Sequence, residues 1–195
     1  MSIKQASSER SSYLELVSGI PNRRRVRVTS RKLTEKVAKG LQSQISRLND
    51  RPGDILVQFK SPGGAHQAGK NMFDILRVSK ERTIGLVIVS ANSAAFIALQ
   101  GCHLRLASES SSLVVHNPEV ERYERIKHSS RPENSASACE RAIQTIQVQR
   151  EWLIDMILQK SEGKMTRDKL RILLDDGRTL NAEEALKYGF IDGIV

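Results

Sequence analysis

Three short segments of this sequence carry the residue types that acyl transfer requires. Ser61-Pro62-Gly63-Gly64 contains two consecutive glycines, which leave backbone N–H groups free to face an anionic oxygen. Ser93 supplies a hydroxyl between an apolar run and a small-residue stretch, and His116 supplies an imidazole at the end of another apolar run. A serine nucleophile, a histidine base and an oxyanion hole are together the parts of a covalent hydrolase.

Each of these segments also has a structural interpretation. A glycine pair is typical of a tight strand-to-helix turn, a serine at a helix start is more often an N-cap, and a histidine at a strand end is more often a hydrogen-bonded edge residue. If Ser93 is the nucleophile, the N–H groups of Gly64 and Ala94 would form a two-donor oxyanion hole. Asp175 and Asp176 offer a carboxylate to orient the imidazole, and solvation at the surface explains this acidic pair equally well.

The pattern around these segments predicts alternating strands and helices. Short, nearly continuous apolar runs are typical of strands covered on both faces, and apolar residues at spacings of three and four are typical of amphipathic helices. Alternation of the two indicates an α/β domain built from right-handed crossovers. The predicted strands are 25–29, 55–59, 83–90, 104–107 and 113–116, and the predicted helices are 33–48, 65–80, 93–99, 137–159, 166–174 and a last one capped by Asn181.

One domain accounts for most of the chain, which has 195 residues, 39% of them hydrophobic and 27% charged. Residues 1–21 are Ser-rich and polar with one short apolar group, which predicts a mobile N-terminal arm. The single α/β domain is therefore expected over residues 22–195. Within it, residues 119–136 are strongly polar and contain Arg131-Pro132, which predicts an exposed loop.

Cysteine and histidine usage predicts neither a disulfide framework nor a metal site. The two cysteines and four histidines lack metal-ligand spacing, and we expect no cofactor. No apolar stretch approaches the length of a membrane span, and the first residues lack the apolar region of a signal peptide. We therefore expect a cytoplasmic protein without membrane insertion.

Basic residues are concentrated near the N-terminus. The net charge is +9, and residues 1–40 hold ten Lys or Arg against three Glu. The cluster from Arg23 to Arg27 has the charge to bind nucleic acid, an acidic membrane face or an acidic partner protein. No aromatic interleaving or nucleic-acid motif accompanies the cluster, so we favour a solvated strand edge and do not expect nucleic-acid binding.

Four segments, taken in order, resemble the ClpP family, the proteolytic subunits of ATP-dependent Clp proteases. The resemblance covers about residues 33–195 and is carried by DILVQFKSPGGAHQAGKNMFDILRVSK, VSANSAAFIALQG, LVVHNP and LNAEEALKYGFIDGIV. It implies the ClpP/crotonase-like α/β fold of repeated βαβ units, with the helix over 137–159 as the protruding handle helix.

The resemblance also implies an activity. Ser93 matches the nucleophile, His116 the general base, and the N–H groups of Gly64 and Ala94 the oxyanion hole, with Asp176 as the third member of the triad. The implied enzyme is a serine endopeptidase that cleaves peptides or unfolded proteins through an acyl-enzyme. The implied assembly is a homo-oligomer of stacked rings, to which an ATPase unfoldase delivers substrate.

The sequence departs from the family pattern in three places. The turn at Ser93 is one residue shorter than the family's Ser-Met-Gly-Ala and has no glycine. The family's catalytic Asp aligns nearest to Gly177, so its role falls to Asp176, or to Asp175, by a shift of register. The Gly-rich substrate-binding strand expected after Pro118 is absent from the sequence.

These departures keep two alternatives open. The first is a catalytically inactive ring subunit or scaffold of the same fold. The second is a crotonase-type enzyme acting on CoA thioesters, because GCHLRLASESS resembles a crotonase segment. We rank the crotonase below the peptidase because a second glycine-rich oxyanion loop is missing from the sequence.

Overall fold

Residues 3–118 and 135–195, which the computed structural model describes, fold around a seven-stranded and mainly parallel sheet. None of the helices in this described part is long and apolar enough to cross a membrane. The strands are β1 (Arg25–Val28), β2 (Ile55–Ser61), β3 (Thr83–Asn92), β4 (Leu104–Ala107), β5 (Ser112–Val114), β6 (Thr179–Asn181) and β7 (Gly193–Ile194). The helices are α1 (Ile3–Gly19), α2 (Glu35–Asn49), α3 (His66–Arg77), α4 (Ala94–Leu99), α5 (Ser135–Lys160), α6 (Arg167–Asp176) and α7 (Ala182–Lys187).

The strand order brings three chain turns to one edge of the sheet. β1, β2, β3, β4 and β7 are parallel neighbours in that order. The first part of β3 pairs with β4, its last part pairs in parallel with β5, and β6 then pairs antiparallel with β5. Because β2, β3 and β5 run in the same direction, their carboxyl ends lie at one edge. This arrangement confirms the predicted α/β fold with a parallel sheet.

Both faces of the central strands are covered, which explains their nearly continuous apolar runs. In β2, the side chains of Val57 and Phe59 join the main hydrophobic core with helices α2 to α7. Leu56 points to the other face, where it packs with Ile84 and Leu106 in a smaller cluster. This alternation is the expected period of two along a strand, with apolar cover on each side.

Helix α1 lies within residues 1–21, the segment predicted to be a mobile arm. Its Tyr13, Leu16 and Val17 pack against the smaller cluster, and Ile20 is buried in that cluster. Spacings of three and four put these residues on one side of a helix. Their burial against the sheet explains why a segment that is otherwise Ser-rich is helical.

The predicted exposed loop over residues 119–136 lies outside the described residues, apart from 135 and 136, with which α5 begins. The predicted handle helix over 137–159 corresponds to α5, which ends at Lys160.

A buried arginine joins several elements of the main core. Arg105, in β4, is 5% exposed, and its Nε donates to Asp192 Oδ2 at 3.1 Å. It also donates to Gln100 Oε1 at 2.7 Å and to the carbonyl oxygens of Gly189 at 3.0 Å and Lys160 at 3.2 Å. A buried charge whose donors are all paired avoids the desolvation cost of an unpaired one. Arg105 therefore fixes the C-terminal segment against β4 and against the ends of α4 and α5.

Two arginines of the N-terminal basic cluster are used inside the fold. Arg24 is buried and donates to the carbonyl oxygens of Leu48 at 3.2 Å and Asp54 at 3.0 Å, around the end of α2. Arg25 donates to the carbonyl oxygen of Ile20 at 2.8 Å, just after α1. The guanidinium group of Arg24 thus joins the last turn of α2 to the residue before β2, and that of Arg25 binds the chain just after α1. Their role is structural.

We expect Arg24→Met to lower the free energy of unfolding by about 3 kcal/mol, because several part-buried carbonyl groups lose the charged hydrogen-bond donors of one buried guanidinium group. Arg23→Met is the matched control, since Arg23 is the exposed neighbour and loses the same charge. The control should stay within about 0.5 kcal/mol of the parent chain. Urea unfolding followed by the fluorescence of Trp152, the one tryptophan, measures both. Equal losses in the two variants would contradict the structural role of Arg24.

Candidate active site

The first turn of the site connects β2 to α3. Ser61 is buried, and its Oγ accepts a hydrogen bond from the Gly63 N–H at 3.2 Å. The Gly63 carbonyl accepts from the Leu33 N–H at 2.8 Å. Gly63 and Gly64 have φ values of 102° and 156°, which favour glycine. Among the described residues the Gly64 N–H has no hydrogen-bond partner, so it is the amide of this turn that stays available to a ligand.

The second turn connects β3 to α4 and contains Ser93. Its N–H donates to the Val114 carbonyl at 2.8 Å, and its own carbonyl accepts from the Ile97 N–H at 3.1 Å. Ser93 has φ 54° and ψ −121°, and its side chain makes no capping hydrogen bond. A non-glycine residue at positive φ is strained, and such strain is concentrated at functional sites. Ser93 thus occupies the N-cap position without acting as a side-chain cap.

The two turns are in direct backbone contact. A Cβ atom placed on Gly63 would lie 2.5 Å from the Asn92 carbonyl oxygen, 2.8 Å from Ser93 Cβ and 3.1 Å from the Ala94 nitrogen. Ala94 is the first residue of α4, where N–H groups have no acceptor within the helix. The amides of Gly64 and Ala94 therefore lie on touching turns, an arrangement that can offer two donors to one oxyanion.

His116 lies two residues beyond the end of β5, in a chain segment that runs beside Ser93. Asn92, the residue before Ser93, pairs with Val114 in the parallel ladder between β3 and β5, which places the two segments side by side. The Nδ1 atom of His116 is 2.7 Å from the Asn117 carbonyl oxygen. A carbonyl only accepts, so Nδ1 carries the hydrogen and Nε2 is the ring atom able to take a proton. This is the protonation pattern that a general base requires.

The acidic pair at the end of α6 has other partners. Asp176 Oδ2 is 3.7 Å from Arg178 Nε, and the Asp176 side chain is 57% exposed. Asp175 Oδ1 accepts from Asn117 Nδ2 at 2.7 Å. Gly177 contacts the histidine residue, because a Cβ on it would be 3.4 Å from His116 Cβ. The position at which the resemblance predicts the family's Asp is thus next to His116 and carries no side chain.

One cavity of about 480 Å³ brings together Gly64, Ser93 and His116. Ala94 is buried directly after Ser93, and Asp176 is not among the residues that line the cavity. A larger cavity, of about 730 Å³, is lined in part by Trp152 and holds none of the predicted site residues. Three of the residues predicted from the sequence, Gly64, Ser93 and His116, therefore line one cavity. Ala94 follows Ser93 directly in the chain, and Asp176 lies outside the cavity lining.

Comparison with protein families gives a match over nearly the whole chain. The family model described as Clp protease matches residues 8–195. The chain belongs to the Clp protease family.

Individual members of the Clp protease family are distant in sequence from this chain. The ATP-dependent Clp protease proteolytic subunit 1 of Tropheryma whipplei (strain Twist) is 28% identical over 151 residues, which is 75% of this chain and 67% of that protein. The proteolytic subunit 2 of Prochlorococcus marinus (strain NATL2A) is 26% identical over 180 residues, 88% and 82% of the two chains. A ClpP1 point mutant from Listeria monocytogenes superposes with a TM-score of 0.74 at 17% identity, covering 94% of this chain and 95% of that one.

Membership confirms the predicted resemblance and makes the chain a homologue of Clp protease proteolytic subunits. The structural neighbour confirms the ClpP fold. Neither comparison assigns the catalytic residues, which remain predictions for this Clp protease homologue.

Sequence reasoning missed the contribution of α5 to the cavity wall. Thr145, Gln149 and Leu153 line it from that helix. Their spacing of four is visible in the sequence, but only the folded chain shows that this stripe faces Ser93. His66, the first residue of α3, was also missed, although it follows the glycine turn by two residues.

His66 forms a neutral part of the cavity wall. Burial, and secondarily the nearby Lys70 charge, lower the pKa of His66 to about 4. Its ring packs edge-on against Trp152 at a centroid distance of 5.8 Å, and Lys70 Nζ lies 4.9 Å from the centre of the same indole ring. The charged form of His66 is disfavoured because the ring has lost water on the side of α5.

We expect the stability of the chain to fall between pH 6.5 and pH 4 in a way that depends on His66. In this window an unfolded histidine binds a proton and the folded His66 does not, so acid favours the unfolded state. After discounting for partial exposure, the loss is about 1–2 kcal/mol. His66→Gln should remove this part of the pH dependence, as measured by urea unfolding at pH 7 and pH 4.5. The same pH dependence in parent and variant would contradict the assignment.

Proposed function

We propose that this Clp protease homologue is a serine peptidase that hydrolyses peptide bonds through an acyl-enzyme on Ser93. The observation that carries the proposal is the strained, uncapped conformation of Ser93 in the cavity that His116 and Gly64 also line. A serine cap would use its side chain at the helix start, and this one does not. Its hydroxyl is thus available for chemistry.

The arrangement supports a two-step reaction. Ser93 Oγ attacks the peptide carbonyl while His116 Nε2 takes the hydroxyl proton, and the N–H groups of Gly64 and Ala94 hold the oxyanion. The protonated histidine then passes the proton to the leaving amine as the C–N bond breaks. Water, deprotonated by the same imidazole, hydrolyses the ester and regenerates Ser93. Asp176 stays a prediction as the third member of the triad.

The same family membership supports proposals about assembly. Relatives carry the description of a proteolytic subunit of an ATP-dependent protease, which fits a homo-oligomer of stacked rings that receives unfolded protein from an ATPase partner. Peptides or unfolded proteins are the substrate class in this proposal. Family membership also favours this peptidase over the crotonase-type alternative.

A catalytically inactive ring subunit is the second candidate. It is favoured by one observation: the position beside the imidazole that aligns with the family's Asp is Gly177, which has no side chain. If the histidine needs an adjacent carboxylate to act as a base, this chain would keep the scaffold of the family and lack its chemistry.

A fluorophosphonate serine probe, with the adduct located by mass spectrometry, separates the two candidates. We expect labelling at Ser93 in the parent chain and none in Ser93→Ala, because the probe reacts with an activated hydroxyl. Ser43→Ala is the matched control, since Ser43 is exposed on α2, and it should label like the parent. An intact oligomer that fails to label at Ser93 would overturn the peptidase and favour the inactive ring subunit.

A further inference from the structure

Hydrogen bonds connect α5 to the imidazole of His116 through two intermediate residues. Arg150, in α5, donates from Nη2 to Asp175 Oδ1 at 2.9 Å. Asp175 Oδ1 also accepts from Asn117 Nδ2 at 2.7 Å. The Asn117 carbonyl oxygen is in turn 2.7 Å from His116 Nδ1. The Asp175 carboxylate is thus connected to the imidazole of His116 indirectly, through Asn117.

The Asn117 peptide is held at both its backbone and its side chain. Its N–H donates to the Leu174 carbonyl at 3.2 Å, and the residue after it is a buried proline, which restricts the chain further. With Asp175 holding the side-chain amide, the direction of the Asn117 carbonyl is fixed. A fixed acceptor is what sets the tautomer and the plane of an imidazole.

Two polar atoms around Asp175 are buried without partners. Asn117 Oδ1 and Arg150 Nε are both covered, and among the described residues neither finds a hydrogen bond. A buried polar atom that has lost water and gained no partner destabilises the folded state. Both residues are nevertheless kept in place by the same carboxylate oxygen, so Asp175 maintains an arrangement that is unfavourable by itself. Unsatisfied groups of this kind call for a reason other than stability.

We propose that Asp175 and Asn117 are positioning residues for the histidine. Asp175 orients Asn117, and the Asn117 carbonyl holds His116 with the hydrogen on Nδ1, in place of a direct contact between carboxylate and imidazole. This inference rests on the proposed function, and it differs from a triad with Asp176, whose carboxylate lies 3.7 Å from Arg178 Nε. It also explains how a chain with glycine at position 177 can retain a serine and histidine pair in working order.

Kinetics test the positioning role. We expect Asp175→Ala to reduce both the labelling rate of Ser93 and the kcat for a fluorogenic peptide about tenfold, which corresponds to about 1.4 kcal/mol in the activation barrier, because Asn117 loses the acceptor of its side-chain amide. KM should stay within about twofold, because Asp175 is not among the residues that line the cavity. Asp175→Asn keeps an acceptor for Asn117 Nδ2 and should restore most of the rate. Asp168→Asn, an exposed carboxylate of the same helix, is the matched control and should react like the parent.

A second measurement detects the tautomer of the His116 imidazole and does not require the protein to be active. Long-range proton–nitrogen NMR spectra of protein labelled with ¹⁵N-histidine distinguish the two neutral tautomers, and the chain has four histidines to assign. We expect the Nδ1–H tautomer for His116 in the parent and in Asp175→Asn, and a mixture of tautomers in Asp175→Ala. If Asp175 only stabilises the fold, the tautomer of His116 should be the same in the parent and in folded Asp175→Ala.

The outcomes separate this inference from the proposed function. One outcome is that the parent is not labelled at Ser93, yet His116 has the Nδ1–H tautomer in the parent and loses it in Asp175→Ala. This outcome would overturn the proposed peptidase function and support the positioning role of Asp175. If Asp175→Ala keeps the parent's labelling rate and tautomer, the positioning role is overturned. A larger loss of kcat in Asp176→Asn than in Asp175→Ala would also overturn it, in favour of the triad with Asp176.

Discussion

The geometry of the site depends on the backbone contact between the glycine turn after β2 and the serine turn after β3. The contact is so close that a methyl group on Gly63 would overlap the Asn92 carbonyl and Ser93 Cβ. Parallel neighbouring strands end at the same edge of a sheet, so strand order alone brings the two turns together. The contact packs the backbone of Gly63 directly against the strained residue Ser93.

Helix packing behind the turns restricts the site in the same way. At Gly69 in α3 an added Cβ would lie 2.6 Å from the Ala94 carbonyl oxygen, so α3 and α4 approach backbone to backbone. This approach fixes the start of α4, where Ser93 and the Ala94 amide lie. The buried guanidinium group of Arg105, paired with the half-buried carboxylate of Asp192, anchors the far end of α4 through Gln100. Both ends of a six-residue helix are thus fixed by neighbours, which a helix too short for stability by itself requires.

The sequence was sufficient to predict the main strands and helices, because buried parallel strands and amphipathic helices have distinct apolar periods. It also placed Gly64, Ser93 and His116 at successive strand ends, which the structure gathers in one cavity. It could not predict that Asp175, and not Asp176, accepts the hydrogen bond from Asn117 Nδ2. Asp175 and Asp176 are adjacent on α6, so they point about 100° apart around the helix, and only the tertiary contacts decide between them. The carbonyl of Asn117 has no signature in a sequence, since every residue carries one.

Helix α5 contributes to the candidate site both through the cavity wall and through a hydrogen bond to Asp175. Leu153 and Gln149 form part of the cavity wall, and Arg150, on the same turn of the helix, binds Asp175. Trp152 packs on the other side against His66 and Phe73 of α3. A shift of α5 would therefore change both this cavity wall and the hydrogen bonds that connect Arg150, through Asp175 and Asn117, to His116. The cavity wall and these hydrogen bonds thus depend on the same helix, although its residues are far along the chain from Ser93.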